Sequence, residues 1–379
     1  MRYNEFKGLK LSALGMGCMR FPLLDGESKA IDKAAVGEMI AYAIKNGINY
    51  FDTAWAYHGG MSEPVMGELL SAYPRDSFYL ATKFPGYDKE LLGKVEEIFE
   101  SQLKRCRTEY FDFYLFHNVA EKNINEYLDE KLGIFNYLIK QKKNGRIRHL
   151  GFSSHGSIHT IKRFLEAYGK DMEFCQLQIN WLDWSFQKAK EKVELVSSYG
   201  IPVWVMEPVR GGRIASLAPD QEKRLLALRP QASVPEWAFR FVQSIPEVVV
   251  TLSGMSNFEQ LKENIKTFET PQPLGEREME VLFEISNEII AKTAIPCTAC
   301  RYCTDHCPMH LDIPELIKRY NEHAHGGDHP IPSAALAGID ADKHPHSCIG
   351  CACCEELCPQ GIKISEIMRD FKERLSNSI

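Results

Sequence analysis

Cysteine is the residue type whose spacing says most about the chemistry of this chain. Eight of its twelve cysteines form two runs near the C-terminus, and both runs have the pattern C-x2-C-x2-C-x3-C-P. The runs consist of Cys297, Cys300, Cys303 and Cys307, and of Cys348, Cys351, Cys354 and Cys358. Because cysteine thiolates are the ligands of iron–sulfur clusters, each run brings enough ligands for one cluster. The pattern predicts a segment that can carry electrons.

The spacing is that of bacterial two-cluster ferredoxins, in which the fourth cysteine of each run ligates the other cluster. We therefore expect two [4Fe–4S] clusters with crossed ligation. The first would be held by Cys297, Cys300, Cys303 and Cys358. The second would be held by Cys348, Cys351, Cys354 and Cys307. Zinc and disulfides are the weaker alternatives, because zinc sites use paired CxxC units and need no third in-line cysteine.

Composition and charge narrow the classes of partner. The chain has 379 residues, of which 44% are hydrophobic and 25% charged, so one large domain and a smaller one fit its length. We find no secretory signal and no apolar run of about 18 residues, and we therefore expect a cytoplasmic protein with no membrane partner. The net charge of −6 disfavours nucleic acid, whose phosphates attract basic surfaces. A redox protein is the macromolecular partner that we expect instead.

Residues 1–270 alternate short apolar runs with amphipathic stretches, which indicates strands that alternate with helices. The predicted strands are Leu11–Gly17, Asn49–Asp52, Phe78–Lys83, Phe111–Phe116, Ile147–Phe152, Cys175–Ile179, Val203–Met206 and Val248–Leu252. The predicted helices between them include Lys33–Lys45, Lys89–Arg105, Glu126–Lys143 and Gln187–Tyr199. Eight such units in about 260 residues predict an α/β fold, a (β/α)8 TIM barrel. A doubly wound sheet is the weaker alternative, because no GxGxxG follows the first strand.

The predicted domains are the barrel over residues 1–270, a linker with a helix over 271–295, and a small ferredoxin-like iron–sulfur domain over 296–379. Forty residues separate the two cysteine runs, and they include a predicted helix, Ile313–His323, and a His-rich loop that begins at His323. Seven of the twelve histidines lie between His306 and His346. Their spacing matches no metal-ligand motif, so we interpret them as exposed loop residues. Cys353 is interpreted as a spare thiol.

Polar residues end three consecutive predicted strands. Asp52 ends the second, Lys83 the third and His117 the fourth, while Tyr57 follows Asp52 by five residues. Barrel active sites lie at the C-terminal ends of the strands, so these side chains are expected to converge. A phenol with a reference pKa of about 10 is a weak acid, but an adjacent ammonium favours its phenolate. The group predicts a proton donor, with His117 orienting a substrate carbonyl.

In their contexts FDTAWAYHGG, ATKF and DFYLFHN, these four residues resemble the catalytic tetrad of the aldo-keto reductases. The resemblance covers residues from about 8 to 268, and the cysteine-rich tail is similar to that of a branch with a C-terminal 4Fe–4S domain. It implies that Tyr57 is the general acid and that Asp52 and Lys83 tune it. It also implies hydride delivery from a nicotinamide across the barrel mouth to a carbonyl, or a related unsaturated group, of a small-molecule substrate.

The resemblance further implies residues that contact the cofactor. Ser153 and Ser154 stand at the family's G-x-S-N segment, and Gln178 matches a glutamine that contacts the nicotinamide carboxamide. Met206 replaces an aromatic residue that often stacks on the ring. The matches to the adenosine-binding segment are Gly254, Ser256, Gln260, Glu263 and Asn264. The choice between NAD and NADP stays open, since the basic residues that other members use on the 2′-phosphate are absent.

The loop Arg210-Gly-Gly-Arg213 has two interpretations. Its arginines would supply positive charge to a pyrophosphate, and its glycines would allow close approach. A solvated turn explains the same composition equally well.

Two kinds of electron transfer must be reconciled, because a nicotinamide gives two electrons as hydride and each cluster carries one. A flavin at the barrel mouth would reconcile them. We expect an oxidoreductase supplied with electrons by NAD(P)H, by a ferredoxin-like partner through the clusters, or by both. One alternative is an electron-transfer subunit whose barrel is a docking scaffold. Another is that the clusters only stabilise the C-terminal domain.

Overall fold

The structure, a computed structural model, describes residues 1–24, 30–291, 293–323 and 330–376. The chain forms two compact units. The barrel unit comprises Met1–Pro208 and Glu236–Gly275, and the C-terminal unit comprises Val209–Pro235 and Glu276–Ile379. The His-rich loop predicted after His323 lies outside the described residues. The domain bounds drawn from the sequence stay predictions.

The strands of the described residues form a hairpin and a closed barrel. The hairpin pairs β1 (Tyr3–Phe6) with β2 (Leu9–Ser12) in antiparallel orientation. The barrel strands are β3 (Leu14–Gly17), β4 (Tyr50–Asp52), β5 (Tyr79–Phe84), β6 (Phe111–Val119), β7 (Ile147–Ser154), β8 (Cys175–Gln178), β9 (Val203–Met206) and β10 (Val248–Ser253). All eight are parallel to their neighbours, and β10 pairs with β3 to close the barrel. The predicted (β/α)8 fold is confirmed.

The described helices alternate with the strands and then continue into the C-terminal unit. They are α1 (Lys33–Lys45), α2 (Ser62–Leu70), α3 (Val95–Arg105), α4 (Ile124–Leu128), α5 (Ile134–Lys143), α6 (Ile158–Tyr168), α7 (Asp183–Phe186), α8 (Ala189–Ser198), α9 (Pro219–Leu228), α10 (Val234–Gln243), α11 (Phe258–Glu269), α12 (Glu276–Ala291), α13 (Ile313–His323), α14 (Cys353–Leu357) and α15 (Ile364–Ser376). None of these helices is long and apolar enough to cross a membrane.

The first predicted strand is in fact two strands that meet at Ala13. Ser12 explains the break, because its hydroxyl donates to the Leu14 carbonyl at 2.8 Å and its amide donates to the Asn49 side chain at 2.8 Å. These bonds turn the chain out of the hairpin and into the barrel. Phe6 and Leu11 of the hairpin are buried in one apolar cluster with the barrel core.

The segment predicted as a helix over Glu126–Lys143 is also divided. Helix α4 ends at Leu128, and α5 begins at Ile134 after Gly133, whose φ is 65°. A glycine accepts this left-handed conformation without the steric penalty that a Cβ brings. The change of direction at Gly133 therefore separates two helices that share one amphipathic pattern.

The C-terminal unit has a core of its own. Ile317 of α13 and Phe371 of α15 are buried in an apolar cluster that also contains cysteines of both runs. The hydroxyl of Tyr320 donates to Asp370 at 2.5 Å, which joins the two helices by a polar contact. The C-terminal unit is thus packed by ordinary apolar contacts around its cysteines.

Gly67 provides a test of the packing between α2 and α3. A Cβ at Gly67 would lie 2.3 Å from the Arg105 carbonyl oxygen, a backbone atom with little room to move. We expect Gly67→Ala to lower the free energy of unfolding by about 1–3 kcal/mol, as overpacked sites do. Thermal and urea unfolding followed by circular dichroism would measure the change.

The matched control is Gly37→Ala in α1, where the new Cβ would meet Leu69 at an ordinary 3.5 Å. Alanine is the better helix former by up to about 1 kcal/mol, so this variant should be unchanged or slightly more stable. Equal destabilisation of both variants would contradict the close contact between α2 and α3.

Candidate active site and cluster sites

The four predicted catalytic residues lie together at the C-terminal ends of β4, β5 and β6. Asp52 pairs with Ala81 across β4 and β5, and side chains two residues apart on a strand share a face. Asp52 and Lys83 therefore point to the same side of the barrel wall. The ammonium of Lys83 lies 2.6 Å from a carboxylate oxygen of Asp52 and 3.4 Å from the hydroxyl of Tyr57. One cation thus contacts both the Asp52 carboxylate and the Tyr57 phenol.

The Asp52–Lys83 pair is fully enclosed by protein. Lys83 is 0% exposed and Asp52 is 2% exposed. Burial raises the pKa of Asp52 above its ordinary value, and the neighbouring Lys83 acts in the opposite direction. The ammonium also donates to the Thr53 carbonyl at 2.9 Å, so two acceptors fix its position. Removing either charge would leave the other buried without compensation.

His117 forms the opposite wall of the site. Its ring stands edge-on to that of Tyr57, with centroids 6.1 Å apart. Burial, reinforced by the charge of Lys83, holds the pKa of His117 well below its ordinary value. The imidazole is therefore neutral near pH 7 and can donate one hydrogen bond. Its Nδ1 is buried and has no hydrogen-bond partner within the described part of the chain.

The loop that carries Tyr57 is fixed by a residue that the sequence interpretation missed. Arg105 of α3 donates to the carbonyl oxygens of Trp55 and Gly60, on either side of Tyr57. Its guanidinium stacks 4.3 Å above the Trp55 ring and pairs with Glu63 at 3.3 Å. The sequence gives no signal for this role, because a basic residue in the last turn of a helix is common.

Glu63 is also the centre of a buried network behind Lys83. One of its oxygens accepts from Thr82 at 2.6 Å and from Gln102 at 2.7 Å. The Gln102 amide donates as well to the Lys83 carbonyl, and Tyr114 donates to the Gln102 oxygen at 2.6 Å. These bonds anchor the strand segment that presents the Lys83 ammonium. The available signal was Gln102 itself, a polar residue on the apolar face of α3.

The predicted nicotinamide contacts begin with two buried serines at the end of β7. The Ser153 hydroxyl accepts from the Asn118 amide at 2.8 Å. The Ser154 hydroxyl donates to the Val119 carbonyl at 2.6 Å and accepts from the Gly156 amide at 3.0 Å. Both hydroxyls therefore make internal bonds that tie β7 to the end of β6.

Gln178, at the end of β8, is oriented by its neighbours. Its amide nitrogen donates to Asp183 at 2.7 Å, and its oxygen lies 3.0 Å from Nδ1 of His155. Asn180 donates to the same Asp183 oxygen at 2.7 Å. Burial lowers the pKa of His155 to about 4, so a neutral imidazole holds the Gln178 oxygen. Sequence reasoning missed His155, Asn180 and Asp183, which lie beside the matched residues.

The remaining predicted cofactor residues of the barrel unit lie at the ends of β9 and β10. Met206 is half-buried at the end of β9. Beyond β10, the chain exposes Gly254, Ser256, Gln260 and Glu263 around the first turns of α11. Asn264 is buried and donates to the Ser253 hydroxyl at 3.1 Å. The five predicted adenosine contacts thus form a mostly exposed group with one anchoring member.

Arg210 belongs to the C-terminal unit, unlike every other predicted cofactor residue. It is 3% exposed and donates to the Cys297 carbonyl at 3.1 Å. The solvated turn considered for this loop does not describe Arg210, whose guanidinium is buried beside a predicted cluster ligand. Its assignment to a pyrophosphate stays a prediction.

Two cavities in the C-terminal unit bring cysteines of different runs together. The first cluster site, as we name it, is lined by Cys297, Cys300, Cys303 and Cys358. The second cluster site is lined by Cys348, Cys351, Cys354 and Cys307. Each cavity therefore combines three cysteines of one run with the fourth of the other, and Cys353 lines neither. Crossed ligation fits this arrangement.

The cysteines are not arranged around a single ion. Among the residues that the structure describes, no three His, Cys, Asp or Glu side chains form a group that could hold one metal ion. Zinc draws its cysteine ligands to about 2.3 Å from one centre, whereas the thiolates of a cubane bind different iron atoms. The donor set is thus suited to a cluster.

Two protein-family models match separate segments of the chain. The model of the aldo/keto reductase family matches residues 13–286, and that of the 4Fe-4S dicluster domain matches residues 296–362. The first match covers more than half of the chain and includes all eight barrel strands. The second includes all eight cysteines of the two runs.

Curated relatives and solved structures agree with these matches. Probable aldo-keto reductase 1 from Glycine max is 26% identical over 313 residues, which cover 73% of this chain and 86% of that protein. NADH-specific methylglyoxal reductase from Escherichia coli (strain K12) is 25% identical over 303 residues, with 68% and 90% covered.

Among solved structures, aldo-keto reductase AKR11C1 from Bacillus halodurans in its holo form has a TM-score of 0.62 at 24% identity. The match covers 75% of this chain and 96% of that one, and it supports the fold alone. Together with the two family models, these comparisons identify an oxidoreductase: the chain belongs to the aldo/keto reductase family and carries a C-terminal 4Fe–4S domain.

Proposed function

We propose that the barrel unit reduces a carbonyl, or a related unsaturated group, of a small molecule, and that Tyr57 supplies the proton. The observation that carries this proposal is the Lys83 ammonium, which contacts both Asp52 and Tyr57. A phenol that gives up its proton becomes an anion, and a cation 3.4 Å away stabilises that anion more than it stabilises the phenol. Asp52 compensates the ammonium charge before the reaction starts.

His117 would orient the substrate. Because its imidazole is neutral, it can donate a hydrogen bond to the carbonyl oxygen without competing with Tyr57 as an acid. The two rings stand edge to face with their centroids 6.1 Å apart, so a carbonyl oxygen bound beside both rings would lie within reach of both groups. His117 would thereby bring the substrate oxygen to the Tyr57 proton.

NAD(P)H is the cofactor that we propose for the barrel, and when bound it supplies the hydride. Gln178 would contact the carboxamide in an orientation set by Asp183 and His155. Ser153 and Ser154 would keep the ends of β6 and β7 in place beside it. The relative from Escherichia coli is named as NADH-specific. In this chain, likewise, the exposed group around α11 holds no basic residue at the positions that other members use on the 2′-phosphate. We therefore propose NADH as the first cofactor to test.

The C-terminal unit would hold two [4Fe–4S] clusters, which when bound accept and release single electrons. The two cavities with crossed cysteines support this count and this ligand set. A ferredoxin-like redox protein would exchange electrons with them, and a flavin in the barrel would reconcile single electrons with hydride transfer. A flavin that co-purifies with the protein would show in its visible absorption.

The barrel proposal predicts the behaviour of Tyr57→Phe. Without the phenol, carbonyl reduction should fall at least about 100-fold, the usual worth of a positioned general acid, while iron content stays unchanged. Tyr199→Phe is the matched control, because Tyr199 is 40% exposed at the end of α8 and should leave the rate unaltered. Steady-state reduction of small aldehydes such as methylglyoxal would measure both. Full turnover by Tyr57→Phe would exclude Tyr57 as the acid.

The state of His117 predicts a pH profile. Burial and the charge of Lys83 lower the pKa of His117 well below the ordinary 6.5, so we expect no titration of His117 near that pH. We expect the pH profile of kcat/KM for carbonyl reduction to show no inflection near pH 6.5 that is due to His117. An inflection that is present in the wild type and absent in His117→Gln would mean that His117 carries a proton during catalysis.

Crossed ligation predicts which cluster Cys307→Ser damages. Cys307 lines the second cluster site, so this variant should lose the cluster held by the second cysteine run, although Cys307 belongs to the first. Iron analysis and EPR of Cys307→Ser alongside Cys348→Ser should show the same missing signal. Cys353→Ser is the control, since Cys353 is exposed and should retain full iron content. If Cys307→Ser instead lacks the same EPR signal as Cys300→Ser, crossed ligation is refuted.

A further inference from the structure

The two cluster sites have alike ligand loops but different surroundings. At equivalent positions, Ala299 and Gly350 have φ of 57° and 69°, and Arg301 and Ala352 have φ of 69° and 58°. The backbone thus follows one course around both sites. Any difference between the two clusters must then come from the side chains in and around these loops.

We propose that Arg210 and Thr298 raise the reduction potential of the first cluster, so that an added electron is stabilised there. This inference rests on the clusters of the proposed function. A cluster that accepts an electron gains one negative charge, and its potential rises with nearby positive charge and with hydrogen bonds to its sulfur atoms. Arg210 supplies the positive charge, and Thr298 supplies the hydrogen bond.

The guanidinium of Arg210 is buried against a ligand of the first cluster. Its Nη1 donates to the Cys297 carbonyl at 3.1 Å, and the residue is 3% exposed. A buried charge is screened less than an exposed one, so its effect on the cluster is large for its distance. Arg213 lies three residues further along the same loop and carries a second positive charge.

Negative charges around Arg213 weaken its effect on the potential of the first cluster. Glu315 and Glu322 lie close enough to act on it, and they would offset its field at the cluster. At the second site, Glu355 follows the ligand Cys354 and pairs with Lys363 at 3.7 Å, which offsets its charge. Arg210 is the cation that donates to a ligand residue of the first site, and it is therefore the one that we test.

Thr298 supplies a hydroxyl within the first site. It follows Cys297, is 1% exposed and lines the same cavity as the ligands. Its Oγ1 is buried and has no hydrogen-bond partner in the described part of the chain, so it can donate to a cluster sulfur. The equivalent residue at the second site is Ile349, which has no donor and is 64% exposed. The hydroxyl is thus specific to the first cluster.

The test is a redox titration of the full chain, with dithionite as reductant and EPR as readout. Arg210→Gln should shift the midpoint of the first cluster to more negative values and leave the second unchanged. We expect about a tenfold lower ratio of reduced to oxidised first cluster at a fixed potential, which corresponds to about 59 mV for one electron. Thr298→Val should shift the same midpoint in the same direction. The signals are assigned with Cys307→Ser, which should lack the second cluster.

Arg224→Gln is the matched control, because Arg224 pairs with Glu288 between α9 and α12 and does not line either cluster site. The midpoint potentials of both clusters in Arg224→Gln should equal those of the wild type. Unshifted midpoints in both Arg210→Gln and Thr298→Val, at full iron content, would overturn the inference. If Arg210→Gln loses iron, two other variants decide the question. Thr298→Val must shift the midpoint of the first cluster to more negative values, and the charge-conserving Arg210→Lys must leave it unchanged. A wild-type protein without reversible reduction would instead refute the proposed function.

Discussion

The buried ion pair between Lys83 and Asp52 is the contact on which the barrel site depends. It requires β4 and β5 to end in a register that places both side chains on one face, and it requires that water be excluded from both. A buried pair adds little stability compared with apolar packing, and losing one partner is costly. Its value is therefore chemical, because it holds a cation at a fixed place beside Tyr57, where the proposed reaction needs one. The Glu63 network and Arg105 keep the strand and the loop around it in position.

Much of this arrangement could be predicted from the sequence. The eight barrel strands follow from apolar runs bounded by Gly, Pro and helical patterns, and the cysteines that meet in each cavity follow from spacing. Local breaks were harder to predict. Ala13 lies in a predicted strand, Leu11–Gly17, whose one polar side chain is Ser12, and only the bonds of Ser12 reveal that the strand ends there. Gly133 divides a helix whose periodicity continues on both sides.

Side-chain networks were beyond sequence reasoning, because their members come from distant segments. Glu63, Thr82 and Gln102 meet only after α2, β5 and α3 have packed. Arg210 shows a different limit. A loop with two glycines and two arginines suits an anion, and nothing in its composition tells that its guanidinium contacts the carbonyl of Cys297. The ferredoxin spacing predicts which cysteines meet in each cavity, because that pattern specifies the distant member as well as the near ones, whereas the partners of a charged side chain are set by the fold.

The mixed origin of the cysteines in each cavity bears on how the protein is made. The first cluster site has three cysteines on one side of the insertion and Cys358 on the other. In the crossed ligation proposed above, a ribosome that has passed Cys303 has produced three of the four ligands of this site, and the last follows at the end of the second run. Loading of the cluster would then wait until synthesis has passed Cys358, and the three earlier thiols of the nascent chain would stay unligated until that point.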